Sequence, residues 1–281
     1  MKDRSLEALG PDPVPLKEPL SYPGRPVTEP SLLSGGELLR LYVRPVRLGD
    51  WYVDESEEQA RQRSVDEVLS GLGQVVTGRR HPVIAVGSNA SPGQVGHKLT
   101  RLGIPATVPM VPVRVRGIRA GCSGHISAAG YVACTPYADR DAETVLVVTW
   151  LDSTQLAAFD DTEFPNYRRA LLPGDAFAMT MPSGERLDGA YIYFSAHGVL
   201  ADPDGTPRPG GGDQSALLAA LLAASPRLRE LLGPGPAAWV TKAGADRALR
   251  EEGTRIFAEE GWVLPRTDFL PYADDSLPPR P

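Results

Sequence analysis

The pattern of apolar and polar positions changes along the chain and predicts four stretches. Residues 1–45 hold repeated prolines, residues 46–81 have helical spacing, residues 82–200 hold short apolar runs, and residues 201–281 begin with a Gly/Pro loop and turn helical. Because proline interrupts both helices and sheet ladders, the first stretch is interpreted as a Pro-rich N-terminal arm. Two alternatives stay open for it: a loosely ordered leader, or a segment packed over the domain or a partner.

The strands are predicted from short apolar runs and from alternation. The run "PVIAVG" over residues 82–87 predicts a buried strand, and alternation from Val111 to Val115 predicts a second. Four further strands are expected in the segments "AAGYVACTPY", "ETVLVVTWLD", "NYRRALL" and "GAYIYFSA".

The helices are predicted from apolar spacing and from cap residues. One is expected over residues 92–102 with Ser91 as N-cap, and another over residues 154–163 with Ser153 or Thr154 as the cap. The remaining helices are expected over residues 55–78 with a second start at Ser64, over 215–232 with a break near Pro226, and over 243–261. The tail from residue 270 is expected to be extended.

This order of elements indicates an α+β fold. The strands do not alternate regularly with long helices, which argues against a doubly wound parallel sheet. We expect a small, mixed, closed or partly closed sheet over residues 82–200, with flanking helices and a helical C-terminal extension.

Charge and cysteine content narrow the class of protein. The chain carries 29 Lys and Arg against 35 Asp and Glu, a net charge of −6, which disfavours nucleic-acid and anionic-membrane binding. The N-terminus lacks the apolar core of a secretory signal, and no stretch reaches the roughly 20 apolar residues that span a bilayer. Cys122 and Cys134 predict reduced thiols, and the four histidines lack metal-ligand spacing. We therefore expect a cytoplasmic protein without a metal site.

The stretch "VIAVGSNASPGQV" ends a strand at Gly87-Ser88-Asn89. Successive backbone N–H groups in such a turn can form a concave cradle for an anion or an oxyanion. The alternative is an ordinary turn that ends the strand and leads into the next helix. The spacing of a phosphate loop and the Rossmann glycine triplet are both absent, so nucleotide binding is not predicted.

A second candidate segment, "LAAFDDTEFPNYRRALL", places Glu163 at the end of a short helix. A carboxylate there, beside Phe164 and apolar walls, could act as a proton shuttle. The alternative is a solvated acidic helix end paired with Arg168 or Arg169. Asp160 is expected to hold backbone or an arginine rather than to perform chemistry.

In their order and spacing, these segments resemble the gamma-glutamylcyclotransferase-like family, which has the butirosin-type cyclotransferase fold. Family members typically carry a Tyr-Gly-Ser-Asn-Leu loop, a Leu-Asp-x-x-Glu-Gly segment followed by Tyr-Arg, and a late strand that bears tyrosine. The corresponding segments here are Val86-Gly87-Ser88-Asn89-Ala90, Phe159-Asp160-Asp161-Thr162-Glu163-Phe164, Tyr167-Arg168 and Ala190-Tyr191-Ile192-Tyr193. The resemblance covers residues 82–196. Val86, Ala90 and Phe164 depart from the family pattern.

The resemblance implies a small mixed β-barrel surrounded by helices and a site for a γ-glutamyl group. The loop from Val86 to Ala90, which comprises Val86, Gly87, Ser88, Asn89 and Ala90, would bind the substrate together with Tyr167 and Tyr193. Glu163 would act as general acid/base while the substrate's α-amine attacks its own γ-carbonyl. The products would be 5-oxoproline and a free amine, and no metal or cofactor is implied.

Two other functions stay open. The altered loop, the arm and the C-terminal helices would also suit a non-catalytic member of the same fold that binds a ligand or a protein. Alternatively, water or an external amine would replace the substrate's α-amine, which would make the protein an amide hydrolase or acyltransferase. The expected partner is a small molecule with a γ-glutamyl or similar acyl group, and a protein partner or a homodimer stays open.

Overall fold

The computed structural model describes residues 3–10, 13–54 and 62–273. These residues form an α+β structure centred on one large mixed sheet. The strands are β1 (Ser31–Ser34), β2 (Glu37–Tyr42), β3 (Tyr52–Val53), β4 (His81–Ala85), β5 (Val108–Ile126), β6 (Val132–Leu151), β7 (Tyr167–Pro173), β8 (Met179–Thr180), β9 (Gly189–Ser195), β10 (Val199–Leu200) and β11 (Val263–Leu264). The helices are α1 (Leu6–Leu9), α2 (Val65–Gly71), α3 (Pro92–Arg101), α4 (Ser153–Glu163), α5 (Gln214–Ala224), α6 (Pro226–Leu232), α7 (Pro236–Ala245) and α8 (Arg247–Glu259).

The expected small barrel is corrected to a large sheet. Its main strand order is β3-β2-β1-β5-β6-β4-β9-β7, and no pairing between described strands joins β3 to β7. The pairs along this path are antiparallel except β4 with β9, which is parallel, so the sheet is mixed as predicted. Local alternation indicates that a segment is a strand, but it carries no information on whether the two edges of the sheet meet.

A long ribbon of β5 and β6 forms the middle of the sheet. The segments "AAGYVACTPY" and "ETVLVVTWLD", predicted as two strands, are joined in the single strand β6. The register of the ribbon shifts between Arg116 and Ile118, where Gly117 has a φ of +84° that favours glycine. The ribbon continues beyond this bulge and ends at Ile126 and Val132.

The C-terminal helices pack on the far end of this ribbon. Trp239 and Phe257 are fully buried there in one apolar cluster with Ile126 and Val132. The Trp239 indole Nε1 donates a hydrogen bond to the carbonyl oxygen of Gly130, at 2.9 Å, in the turn that joins β5 to β6. This contact fixes the turn, and the turn becomes one wall of the cavity described below.

The observed helix boundaries agree only in part with the predicted ones. The expected break near Pro226 is present, and α3 begins after Ser91 as predicted. The cap of α4 is Asp152, not Ser153 or Thr154, because its carboxylate accepts from the Gln155 N–H at 2.9 Å. Helix α2 starts after Ser64 and ends at Gly71, while the earlier part of the predicted helix, residues 55–61, lies outside the described residues.

The Pro-rich arm is not a loosely ordered leader over its described residues. No proline lies between Pro30 and Pro45, and the twelve residues after Pro30 form a hairpin of β1 and β2 around Gly35-Gly36, which have positive φ angles. Strand β1 pairs with β5, and Leu32 and Leu33 are fully buried. Hairpin pairing therefore makes this part of the arm a component of the sheet.

We predict that Leu33→Ala lowers the free energy of unfolding by about 2–4 kcal/mol, because it leaves a cavity in the apolar core. Leu9→Ala serves as the matched control in the same arm, since Leu9 is 50% exposed and should lose less than about 0.5 kcal/mol. Urea unfolding at equilibrium measures both values. Equal effects of the two substitutions would contradict a role for the arm in the core.

Candidate functional site

A single cavity of about 450 Å³ brings the two candidate segments together. The loop after β4, helix α3, the end of α4 and the turn between β5 and β6 contribute to its lining. The predicted site residues that line it are Val86, Gly87, Ser88, Asn89, Glu163, Tyr167 and Tyr193. Ala90 differs, since among the described residues it belongs to an apolar cluster and its carbonyl oxygen accepts from the Val27 N–H in the arm.

The loop adopts a short 3-10 turn over Ser88–Ala90 directly after the strand. Gly87 is required by close approach, since a Cβ there would lie 2.3 Å from the hydroxyl oxygen of Tyr22. The carbonyl oxygen of Gly87 accepts from the Ala90 N–H at 2.9 Å. The N–H groups of Ser88 and Asn89 donate to no atom of the described chain, so they remain available to a bound oxygen.

The Glu163 carboxylate is tied to the loop and to α3 by a closed triangle of contacts. Its Oε1 accepts from Asn89 Nδ2 at 2.9 Å and from Lys98 Nζ at 3.0 Å. Lys98 Nζ also donates to Asn89 Oδ1, at 2.9 Å. Both ends of the Asn89 amide are therefore used, which fixes its orientation. The side chains of Lys98 and Glu163 are only 9% and 16% exposed, so each charge is compensated inside the structure.

Lys98 is not among the residues that the sequence predicted for the site. Gln94, Lys98 and Arg101 all line the cavity, and they follow one another at spacings of four and three residues on α3. That spacing places three long polar side chains on one helix face, beside the buried Val95 and Leu99. A polar stripe of this kind next to a core stripe is the sequence signal that would have indicated a cavity wall.

Asp160 holds an arginine, as predicted. Its Oδ2 accepts from Arg169 Nη1 at 2.5 Å, and its Oδ1 accepts from the Tyr193 hydroxyl at 2.7 Å. Burial and the neighbouring Asp160 carboxylate raise the pKa of Tyr193. Tyr193 therefore lines the cavity as an aromatic ring, while its hydroxyl proton is used by Asp160.

Two more tyrosines contact the backbone of Cys134, and one of them comes from the arm. The Tyr167 hydroxyl donates to the carbonyl oxygen of Cys134 at 2.8 Å, and the Tyr22 hydroxyl oxygen accepts from the Cys134 N–H at 2.6 Å. Tyr22 stacks on Tyr131 with 4.2 Å between ring centroids. Burial raises the pKa of all three tyrosines, so these walls are neutral. Tyr22 and Tyr131 were not predicted.

His125 is a further cavity residue that the sequence did not indicate. Its Nδ1 lies 2.6 Å from Ser123 Oγ, and its ring stacks on that of His197 with 4.6 Å between centroids. Burial, with a smaller contribution from His197, lowers the pKa of His125 to about 3. The imidazole is therefore neutral at physiological pH.

Within residues 3–10, 13–54 and 62–273, no three His, Cys, Asp or Glu side chains lie close enough together to hold a metal ion. Over the same residues, no helix combines the length and the apolarity needed to cross a membrane.

No protein-family model and no curated protein matches the sequence. Solved structures that are similar to it include a gamma-glutamyl cyclotransferase, with 12% identity and a TM-score of 0.34 over 42% of this chain and 67% of that one. An Arabidopsis thaliana protein known from a solution structure has 16% identity and a TM-score of 0.35, with 55% and 89% of the two chains covered. A yeast gamma-glutamyl cyclotransferase specific to glutathione has 12% identity and a TM-score of 0.26, with 48% and 89% covered. At these TM-scores the likenesses carry no inference about function.

We predict that His125 makes stability depend on pH. The pKa of His125 is about 3 in the native protein, whereas its ordinary value is 6.5. When the pH falls below 6.5, the unfolded chain therefore binds a proton at this residue that the native protein does not bind. The contribution of the neutral ring is complete above pH 6.5 and is lost as the pH falls toward 3. Between pH 6.5 and 3, wild type should lose roughly 1 kcal/mol of unfolding free energy per pH unit more than His125→Gln. Equal pH slopes in denaturant unfolding would contradict a buried neutral ring.

Proposed function

We propose that the protein is a gamma-glutamylcyclotransferase-like enzyme that cleaves a γ-glutamyl amine or a related amide. The observation that carries this proposal is that Glu163 and the Gly87–Asn89 loop line one cavity. They are joined there by the 2.9 Å hydrogen bond from Asn89 Nδ2 to Glu163 Oε1. A base and a set of free backbone donors around one space are what an intramolecular acyl transfer needs.

The two oxygens of Glu163 have different roles in this proposal. Oε1 is held by Asn89 and Lys98, while Oε2 accepts no hydrogen bond from the described chain. Oε2 is therefore the atom that exchanges protons with the substrate. The free N–H groups of Ser88 and Asn89 bind an oxygen of the glutamyl group.

The reaction needs one carboxylate and no external nucleophile. Glu163 takes a proton from the substrate's α-amine, whose nitrogen then attacks the γ-carbonyl carbon and closes a five-membered ring. The tetrahedral intermediate carries negative charge on the former carbonyl oxygen. It collapses as the bond from carbon to the leaving nitrogen breaks, and Glu163 returns the proton to that nitrogen. 5-Oxoproline and a free amine are released. Because the nucleophile is tethered to the carbonyl, much of the rate comes from positioning.

Lys98 positions the base in this scheme. Its ammonium lies 4.3 Å from the centroid of the Phe159 ring and bonds both Glu163 and Asn89. The contact with Glu163 holds the carboxylate on the side that faces α3. The contact with Asn89 holds the loop next to the carboxylate. One buried cation thereby keeps the base and the loop in a constant relation.

We predict that Glu163→Gln abolishes the proton transfer and lowers turnover of γ-glutamyl amines by on the order of 10²-fold or more. The assay incubates the protein with a panel of γ-glutamyl amines and detects 5-oxoproline by mass spectrometry. Glutamine keeps an acceptor for Asn89 but leaves the buried Lys98 ammonium without its carboxylate, so the melting temperature should fall, and turnover is compared at a temperature where the variant is folded by circular dichroism. Glu143→Gln is the matched control, because it removes a carboxylate outside the cavity. Glu143 Oε2 lies 2.8 Å from Arg116 Nε on an exposed part of the sheet.

Each other outcome rejects part of the proposal. Unchanged turnover in Glu163→Gln rejects the role of Glu163. Free glutamate or a new amide in place of 5-oxoproline identifies a hydrolase or an acyltransferase. An absence of turnover across the panel, with 5-oxoproline bound in calorimetry, identifies a binding protein.

A further inference from the structure

His125 lines the cavity of Glu163, yet the reaction described above does not use it. The residue lies near the end of β5 and is 3% exposed. Its Nδ1 contacts Ser123, whereas Nε2 makes no hydrogen bond with the described chain. Nε2 is therefore the ring nitrogen that is left for a bound molecule.

A chain of hydrogen bonds favours one of the two nitrogens of His125 as the carrier of the proton. The backbone N–H of His197 donates to Ser195 Oγ at 2.9 Å, and Ser195 Oγ lies 2.7 Å from Ser123 Oγ. We take the Ser195 hydroxyl as the donor to Ser123 Oγ. Ser123 then gives its own proton to His125 Nδ1, at 2.6 Å. Ser123 also lies near the Tyr167 hydroxyl, whose proton is used by the Cys134 carbonyl oxygen, but the short 2.6 Å contact favours His125 Nδ1 as the acceptor of the Ser123 proton. In this arrangement Nδ1 is an acceptor, and the proton of the neutral ring is on Nε2.

A second neutral donor lies in the same wall. His197 Nε2 is 2.9 Å from Asn166 Oδ1, and Asn166 lines the cavity. Because Asn166 Oδ1 accepts from the imidazole, its Nδ2 is the end of the amide that is left for the cavity. The stacking of His197 on His125 holds both side chains in one unit.

We propose that His125 Nε2–H, together with Asn166 Nδ2, is a fixed donor wall that binds an oxygen of the glutamyl group. This inference rests on the proposed function and adds specificity to it. Neutral donors held by a hydrogen-bond network need no reorganisation when charge develops on the oxygen. They add no charge to a cavity that already contains the Glu163–Lys98 pair. The bound oxygen belongs to the γ-carbonyl or to the α-carboxylate, and kinetics distinguish the two.

The direct test is the tautomer of His125, read from imidazole ¹⁵N chemical shifts of the full-length protein. We expect a protonated Nε2 and an unprotonated Nδ1 at neutral pH. Addition of 5-oxoproline should shift the Nε2–H resonance. Ser123→Ala should remove the preference for this tautomer, and Ser123→Thr, which keeps the hydroxyl, should restore it. A protonated Nδ1 in wild type overturns the proposal, as does an Nε2–H resonance that saturating 5-oxoproline leaves unmoved.

The kinetic test uses His125→Gln and His125→Phe. Loss of one donor should lower kcat/KM for γ-glutamyl amines by on the order of 10²-fold. A fall in kcat identifies the γ-carbonyl oxygen, and a rise in KM alone identifies the α-carboxylate. His81→Gln is the matched control, since His81 contacts Ser153 outside the cavity and should keep wild-type kinetics. Wild-type kcat and KM in His125→Phe overturn the proposal.

The two tests separate this inference from the proposed function. If no γ-glutamyl amine is turned over but the Nε2–H tautomer is present and shifts with 5-oxoproline, the cyclotransferase activity is rejected and the donor wall stands. If 5-oxoproline is formed but the tautomer is Nδ1–H, the activity stands and the donor wall is rejected.

Discussion

The Glu163 carboxylate, held by Asn89 and Lys98, is the interaction on which the rest of the site depends. Three segments meet at Oε1: the end of α4, the turn after β4 and the second half of α3. A carboxylate that is mostly buried is stable only if its charge is paired and hydrogen bonded. The positions of the loop and of α3 are therefore coupled to the position of the base.

The cavity around this triangle is built from distant parts of the chain. The arm supplies Tyr22, whose hydroxyl contacts the backbone of Cys134 and approaches Gly87 closely. The C-terminal helices fix the turn between β5 and β6 through Trp239. Burial raises the pKa of Tyr22 and lowers the pKa of His125, so the tyrosine and histidine walls are neutral. The Glu163–Lys98 pair thus lies beside neutral donors and acceptors.

Local patterns predicted the segments of the site better than its walls. The Gly-Ser-Asn turn and Glu163 could be predicted as site residues because each lies at a recognisable strand or helix end. Both line one cavity. Lys98 belongs to a polar stripe on α3 that periodicity could have indicated. Tyr22 had no such signal, because its contact with Cys134 joins residues 112 positions apart.

The sheet shows the same limit at a larger scale. Alternation identified the strand around Val111 to Val115, but not its continuation past the bulge at Gly117 to His125. Prolines before residue 31 suggested a loose arm, whereas the proline-free hairpin after them is held by pairing with β5. Strand pairing and closure depend on contacts between distant segments, and a local pattern does not encode them.

The most direct measurement of the central claim is a crystal structure of the Glu163→Gln protein with a γ-glutamyl amine bound. We predict a glutamyl oxygen within hydrogen-bond distance of the Ser88 or Asn89 N–H group, with the α-amine facing residue 163. A glutamyl group bound outside this cavity, or one whose α-amine points away from residue 163, would contradict it.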